Sequence, residues 1–136
     1  MSIASIKDVE FGEDLPAFSP DNSLENVRRF CEASGWMADR FLDHEAARAL
    51  GLPGALVPGI MSQGFLSAMI HRWSEAGRIV RVDTVFRAPV IVDEPLNITA
   101  TVTDVDEDDN LVELDLTVTN GAGETRVFGT AKVAFD

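Results

Sequence analysis

Apolar and polar residues alternate at every second position through much of the C-terminal half of the chain. The alternation runs through residues 96–103, 112–119 and 127–135. Because successive side chains of a strand point to opposite faces of a sheet, this pattern predicts three strands, each with one buried and one wetter face. Residues 79–87 are predicted to form a further strand ahead of them. Asparagine and glycines at residues 120–123 predict a hairpin turn between the last two strands, so we expect an antiparallel sheet.

An apolar helix is predicted to precede the strands. Residues 58–77 repeat large apolar side chains at helical spacing, with Pro58 suited to the start and Gly77 suited to the end. Most of the circumference of this helix is apolar, which is typical of a helix that other structure surrounds. We therefore predict an α+β fold with a single domain over residues 1–136, in which a curled antiparallel sheet wraps a long central helix.

Two shorter helices are predicted upstream of the long one. Asn22 and Glu25 have the spacing of a capping pair that opens a helix, and Gly35 is suited to end it. Asp43 is suited to cap a second short helix over residues 45–50. The first third of the chain is therefore expected to be helical with loops.

The charge of the chain limits its partners. Asp and Glu outnumber Lys and Arg by 23 to 11, which gives a formal net charge of −12. Nucleic acids and anionic membranes are bound through a basic footprint, so we expect neither as a partner. The densest acidic run, residues 104–110, lies between two predicted strands and is expected to form a solvated turn.

The cysteine and histidine content and the targeting patterns of the chain indicate its cellular compartment and limit the cofactors that it is expected to bind. The single cysteine, Cys31, can form no internal disulfide, which suits a reducing compartment. We find no apolar stretch long enough to span a bilayer and no secretory signal at the start, so we expect a cytoplasmic location. With two histidines and one cysteine, the chain is expected to hold neither a metal ion nor another cofactor.

Residues 31–59 and 86–96 carry a recognisable set of motifs. The chain resembles the MaoC-like hydratase and dehydratase family, which includes (R)-specific enoyl-CoA hydratases. That family has an S-G-D-x-N-P-x-H-x-D-x-x-x-A segment, a glycine, an H-G pair that opens the central helix, and an F-x-x-P-V strand motif followed by an acidic residue and a leucine. In this chain the matching positions are Ser34, Gly35, Asp43, Ala47, Gly51, Gly59, Met61, Phe86, Pro89, Val90, Asp93 and Leu96. The resemblance implies the hotdog fold and a lyase of acyl-CoA and fatty acid metabolism.

The departures from the family pattern fall on the catalytic positions. Trp36 stands where the family has its catalytic aspartate, and Phe41 stands where it has its catalytic histidine. Pro58 replaces the histidine before the helix glycine. Hydration of an enoyl thioester requires a base to activate water and an acid to protonate carbon, and neither Trp nor Phe transfers a proton. The resemblance therefore implies a hydratase or dehydratase subunit whose Asp/His dyad is degenerate, either non-catalytic or dependent on a partner.

Ligand binding is expected to persist without the dyad. By the resemblance, the backbone N–H of Gly59 faces a thioester carbonyl at the start of the long helix, although this glycine is equally suited to close packing. Trp36 and Phe41 are expected to fill the former substrate pocket, or else to line an acyl slot. Ser62 is expected to touch a ligand. The arginines considered for contact with CoA, with Arg87 first among them, are Arg40, Arg48, Arg78, Arg81 and Arg87.

Three functional hypotheses remain open from the sequence. The first is the partner-dependent subunit, bound to an acyl-CoA or acyl-carrier thioester as a homodimer or as a heterodimer with a catalytically complete MaoC-like chain. The second is an active (R)-specific hydratase that uses Asp39 and His44, which have the Asp-x-x-x-x-His spacing of the family dyad. The third is a stand-alone module that binds acyl thioesters or another hydrophobic small molecule.

Overall fold

Four antiparallel strands form one sheet in the order β1–β4–β3–β2. The computed structural model describes residues 2–136. Its strands are β1 (Arg78–Phe86), β2 (Leu96–Asp106), β3 (Leu111–Asn120) and β4 (Thr125–Ala134). Its α-helices are α1 (Leu24–Ser34), α2 (Asp39–Leu42), α3 (His44–Ala49) and α4 (Gly59–Trp73), and a short 3-10 helix covers Ile6–Asp8. The four strands and the long helix confirm the predicted α+β class.

The alternating residues of the strands form the core face of the sheet. On this face Ile98, Ala100 and Val102 of β2 pair with Val118, Leu116 and Leu114 of β3. All six of these side chains are buried. A period-two apolar pattern therefore fixes both the register and the buried face, because a slip by one residue would turn every apolar side chain towards water.

The sheet curls around α4. The helix packs chiefly against β1 and β2, which are the two outermost strands of the sheet order. A flat sheet could not bring both outer strands to one helix, so the sheet is wrapped around it. The helix buries Met61, Leu66, Met69, Ile70 and Trp73 in the common core.

Helix α4 ends earlier than its apolar pattern suggested. It ends at Trp73, and Ser74 leaves the helical conformation with φ −149°. The buried Ser74 hydroxyl donates to the carbonyl of Ile3 at 2.6 Å and accepts the N–H of Gly77 at 3.0 Å. Gly77 has another role, because a Cβ there would lie 2.6 Å from Cγ1 of Val133. The predicted end at Gly77 was therefore wrong, since the glycine serves close packing against β4.

The short helices differ slightly from expectation. The N-cap of α1 is Ser23, whose side chain accepts the Asn26 N–H, and not Asn22. Asp43 caps α3 as predicted, by accepting the N–H groups of two first-turn residues. Helix α2 was not predicted, because four residues are too few to show a helical period.

The two edge strands of the sheet, β1 and β2, have different neighbours. Beyond β2, the N-terminal segment adds isolated bridges between Asp14 and Thr101 and between Phe18 and Ile98. Within residues 2–136, no strand pairs with the outer edge of β1. Val80 and Val85 of β1 are half-exposed. None of the helices in the described part of the chain has the length and apolar character needed to cross a membrane.

Candidate functional site

A groove of about 320 Å³ lies at the N-terminal end of α4. Its walls come from α2, from the segment that leads into α4, and from the segment that follows β1. The walls are mostly apolar and include no Asp, Glu or His side chain. The lining residues are Phe41, Leu56, Val57, Gly59, Ser62, Phe86, Arg87, Ala88, Pro89 and Val90.

Two hydrogen-bond donors of α4 border this groove. Gly59 is the first residue of the helix, where a backbone N–H has no intrahelical acceptor. The carbonyl of Pro58 is already occupied by the N–H groups of Met61 and Ser62, at 3.0 and 3.2 Å. The side chain of Ser62 is 1% exposed, and its hydroxyl has no hydrogen-bond partner in residues 2–136. Gly59 and Ser62 both line the groove, so its wall includes one residue with a first-turn backbone donor and one with an unpartnered, buried side-chain donor.

The field at this helix end favours an electron-rich oxygen. Backbone dipoles of α4 add to a partial positive charge at its N-terminus. No acidic residue lies in the first turn to neutralise it. A polarised carbonyl oxygen is therefore stabilised here more than a neutral apolar group.

Phe41 and Trp36, which stand at the catalytic positions of the family pattern, lie differently relative to the groove. Phe41 is 7% exposed and lines the groove. Trp36 is 45% exposed and does not line it. The Trp36 ring stacks on Phe41 with centroids 6.2 Å apart, and the guanidinium of Arg40 lies 4.5 Å from the Phe41 centroid. Phe41 thus forms a wall and leaves the groove open, whereas Trp36 packs on the outer side of that ring.

Gly59 also permits a close approach by Phe86. A Cβ at residue 59 would lie 3.1 Å from Cζ of Phe86, which is tighter than ordinary side-chain contact. The half-exposed Phe86 ring lines the groove beside the helix start. The packing role and the donor role considered for Gly59 are therefore compatible.

Pro58 and Arg87 occupy different surroundings. Pro58 is buried and acts through its carbonyl as the N-cap of α4, without lining the groove. Arg87 is exposed and lines both the groove and a neighbouring polar depression of about 470 Å³, whose other charged residues are Arg126 and Glu124, with Nη2 of Arg126 3.9 Å from Oε1 of Glu124. Arg48 and Arg81 are instead paired with Glu45 and Asp83. Arg87 is thus placed to meet an anionic group that extends out of the groove.

His44 is held by groups outside the groove. Its Nδ1 accepts the N–H of Ala55 at 3.0 Å, so a neutral ring carries its proton on Nε2. Nε2 then donates to Oδ2 of Asp93 at 2.8 Å. Asp39, the proposed partner of His44, forms no side-chain hydrogen bond in the described part of the chain and does not line the groove. The structure therefore brings His44 to Asp93 and not to Asp39.

Asp93 ties three segments together. Its Oδ1 accepts the N–H of Leu24 at the start of α1, at 3.0 Å, while its Oδ2 meets His44. The hydrogen bond from His44, and after it that from Leu24, holds the pKa of the Asp93 carboxyl below its usual range. Asp93 has φ 69°, in the left-handed region. The sequence identified Asp93 only as the acidic residue after the strand motif. Its hydrogen bond with His44 spans 49 positions and therefore leaves no local pattern in the sequence.

Residues 2–136 form neither a cluster of metal ligands nor an activated thiol. Within residues 2–136, no group of three His, Cys, Asp or Glu side chains is placed to hold a metal ion. Burial raises the pKa of the Cys31 thiol, so this side chain stays protonated near neutral pH.

Comparison with known proteins identifies the fold. No protein-family model and no curated protein matches the sequence. Among solved structures, the (R)-hydratase from A. caviae involved in PHA biosynthesis is 20% identical, with a TM-score of 0.89 over 96% of this chain and 99% of that chain. A MaoC-like dehydratase is 21% identical, with a TM-score of 0.88 over 97% of this chain and 42% of that chain. A chain of the ChsH1-ChsH2 complex from Mycobacterium tuberculosis is 18% identical, with a TM-score of 0.84 over 94% of this chain and 99% of that chain.

These similarities show that the chain has the hotdog fold of (R)-hydratases and MaoC-like dehydratases. The fold predicted from residues 31–59 and 86–96 is thereby confirmed.

Proposed function

We propose that the chain is a MaoC-like subunit that binds an acyl thioester but carries no acid–base pair of its own. The observation that carries the proposal is the composition of the groove at α4. It is lined by Gly59, which carries a first-turn N–H, and by Ser62, whose buried hydroxyl has no partner in residues 2–136, and none of its lining side chains is Asp, Glu or His. A site of this kind can hold and polarise a carbonyl, yet it supplies no group to move a proton.

The chemistry of the groove fits the parts of an acyl-CoA. The thioester oxygen would accept hydrogen bonds from Gly59 and Ser62. The acyl chain would lie against apolar walls such as Phe41 and Val90. Arg87, which links the groove to the depression shared with Arg126, is positioned for a CoA phosphate. The hydratase from A. caviae with this fold is named for PHA biosynthesis, which supports a role in fatty acid metabolism.

Catalysis would then require a partner subunit. One neighbour with this fold belongs to the ChsH1-ChsH2 complex, which supports assembly with a different subunit. In this chain the outer edge of β1 carries half-exposed Val80, Val85 and Phe86, and Phe86 also lines the groove. An unpaired edge strand has free backbone donors and acceptors for another strand. The proposed partner is a MaoC-like chain with an intact Asp/His dyad, or a second copy of this chain.

The alternative of an active hydratase based on Asp39 and His44 gains no support from the contacts. Both ring nitrogens of His44 are engaged, by Ala55 and by Asp93, and neither His44 nor Asp39 lines the groove. The stand-alone binding module shares the same groove and differs from the main proposal only in lacking a catalytic partner.

Two assays on the purified chain test the proposal. Calorimetric titration with butyryl-CoA should show saturable binding that Arg87→Gln weakens, whereas Arg48→Gln, matched in charge but paired with Glu45, should not change it. Crotonyl-CoA should not be hydrated by the chain alone. Turnover that His44→Ala abolishes would establish the active-enzyme alternative instead, and absence of binding would refute the proposal. Mixing the chain with a MaoC-like chain that carries the intact dyad should increase crotonyl-CoA hydration if this chain is a partner-dependent subunit. No such increase is expected if it is a stand-alone binding module.

A further inference from the structure

A single imidazole connects two chain segments that line the groove at α4. The first segment, residues 54–57, supplies two of the lining residues, and the second, residues 87–93, supplies four. His44 accepts the N–H of Ala55 in the first segment at 3.0 Å and donates to Asp93 of the second at 2.8 Å. His44 therefore holds both segments at once, although it does not line the groove itself.

The Ala55 N–H depends on this imidazole. The next two residues, Leu56 and Val57, donate their N–H groups to backbone carbonyls, both at 2.8 Å. Ala55 is fully buried, and the acceptor of its N–H is the side-chain Nδ1 of His44. The ring is seated closely against this segment, because a Cβ at Gly54 would lie 2.9 Å from Nδ1. A buried N–H that loses its acceptor is unfavourable, so the protonation state of the ring matters here.

The rest of the pairing between the two segments is made by the backbone. The Val57 N–H donates to the Val90 carbonyl at 2.8 Å, and the Val92 N–H donates to the Ala55 carbonyl at 2.9 Å. Loss of the bond from Ala55 to His44 would therefore loosen one end of the pairing, beside the lining residues Leu56 and Val57, without separating the segments.

His44 is surrounded by few groups that could change its charge. Imidazole ordinarily gains a proton between about pH 8 and pH 5, and the His44 side chain is 23% exposed to water. Asp93 stays charged in this range, because the hydrogen bond from His44, and after it that from Leu24, lowers the pKa of its carboxyl. Within residues 2–136, no other charged side chain forms an ion pair or a hydrogen bond with the ring. The other charged residues on the elements around it are Asp21, Arg28, Arg40, Asp43, Glu45, Arg48 and Glu94.

Protonation reverses the role of Nδ1. Both nitrogens of a charged imidazole are donors, so Nδ1 would face the Ala55 N–H donor to donor. The bond from Nε2 to Asp93 is kept and becomes charge-assisted, so the ring stays with Asp93 and gives up Ala55.

We propose that His44 is a pH-dependent clasp of the groove. When neutral it holds the Ala55 end of residues 54–57 in place, and when protonated it frees that end, so that the groove binds its ligand less tightly. The clasp follows from the contacts of His44, while its effect on acyl-thioester binding rests on the proposed function.

NMR spectroscopy on the ligand-free chain tests the clasp. The ring C–H signals report the protonation of His44, and the ¹⁵N-labelled amide of Ala55 reports its hydrogen bond. Between about pH 8 and pH 5, the Ala55 amide proton should shift upfield with the same midpoint as the His44 ring. This wild-type comparison decides the matter by itself, since an Ala55 amide that does not follow the titration of His44 would overturn the clasp.

Two histidine variants sharpen that test. In His44→Asn the side-chain oxygen takes the place of Nδ1 and does not titrate, so the Ala55 amide should no longer follow the pH. His71→Asn removes the second of the two histidines, at an exposed position of α4, and should behave like the wild-type chain.

Calorimetry with butyryl-CoA tests the effect on the groove. From about pH 8 to pH 5, the dissociation constant should rise about tenfold more for the wild-type chain than for His44→Asn, the size expected when a buried N–H loses its acceptor. The comparison removes the effect of the CoA phosphate, which titrates near pH 6 with either chain. Equal pH dependence in the two chains would overturn the coupling to the groove. Absence of binding at every pH would refute the proposed function instead, and the Ala55 amide would still decide the clasp.

Discussion

Replacing Ser62 with alanine should make the protein more stable and a weaker binder of acyl-CoA. The hydroxyl is 1% exposed and has no partner in the described residues. Leaving a buried polar group unsatisfied costs about 1–3 kcal/mol, and the variant removes that cost. The loss of one oxygen atom leaves only a small void, which offsets part of the gain. We expect a net increase of roughly 1 kcal/mol in the free energy of unfolding, or a Tm higher by roughly 3–5 °C.

The effect of the same substitution on binding should have the opposite sign. If the Ser62 hydroxyl donates to the thioester oxygen, its removal forfeits a hydrogen bond of about 0.5–1.5 kcal/mol. The dissociation constant for butyryl-CoA should therefore rise roughly 2- to 12-fold, since 1.4 kcal/mol corresponds to a factor of ten. Urea denaturation and calorimetry measure the two quantities on the same preparation.

Ser67→Ala is the matched control on the same helix. Its hydroxyl donates to the carbonyl of Gln63 at 3.0 Å, and Ser67 does not line the groove. This variant should be no more stable than the wild-type chain and should bind butyryl-CoA equally well. If Ser62→Ala were less stable than wild type while binding were unchanged, the unpartnered hydroxyl would not be the second donor of the site, and the reasoning would be refuted.

Three further predictions concern the fold and the site. The pKa of the Asp93 carboxyl is lowered in the folded state, which contributes stability above the ordinary pKa of 3.8; this stability is lost as the pH falls through the lower pKa of the folded state. The urea midpoint of Asp93→Asn should therefore depend less on pH below about 4 than the urea midpoint of the wild-type chain. Leu66→Ala, at a fully buried position of α4, should lower the free energy of unfolding by about 2–5 kcal/mol, measured by urea denaturation. Gly59→Ala should displace the Phe86 ring by a few tenths of an ångström and weaken acyl-CoA binding severalfold, whereas an unchanged dissociation constant in calorimetry would place the ligand elsewhere.

The sheet and its central helix could be predicted because local patterns determine them. Period-two alternation in residues 96–103 and 112–119 identified the strands whose buried faces now pair in register. The apolar helix was recognised from its spacing of large apolar side chains, and its predicted start at Pro58 lies one residue before Gly59, where the helix begins. Its end was missed because Ser74 ends it through a hydrogen bond to Ile3, which is 71 positions away in sequence.

The candidate site could be predicted only in part. Gly59, Phe41, Ser62 and Arg87, which were named as candidates from the sequence, line one groove. The position of Trp36 outside that groove depends on how its loop packs on Phe41, and no spacing rule encodes it. The pairing of His44 with Asp93 was equally hidden, because the Asp39–His44 spacing describes neighbours in sequence while the hydrogen bond is tertiary.

The most direct test observes a bound thioester carbonyl. Crotonyl-CoA labelled with ¹³C at the carbonyl should, on addition of excess protein, show a downfield shift of that signal, because donors at the start of α4 draw electron density to the oxygen. The shift should shrink with Ser62→Ala, and no 3-hydroxybutyryl-CoA signal should grow with time. An unshifted carbonyl, or steady formation of the hydrated product by this chain alone, would contradict the account.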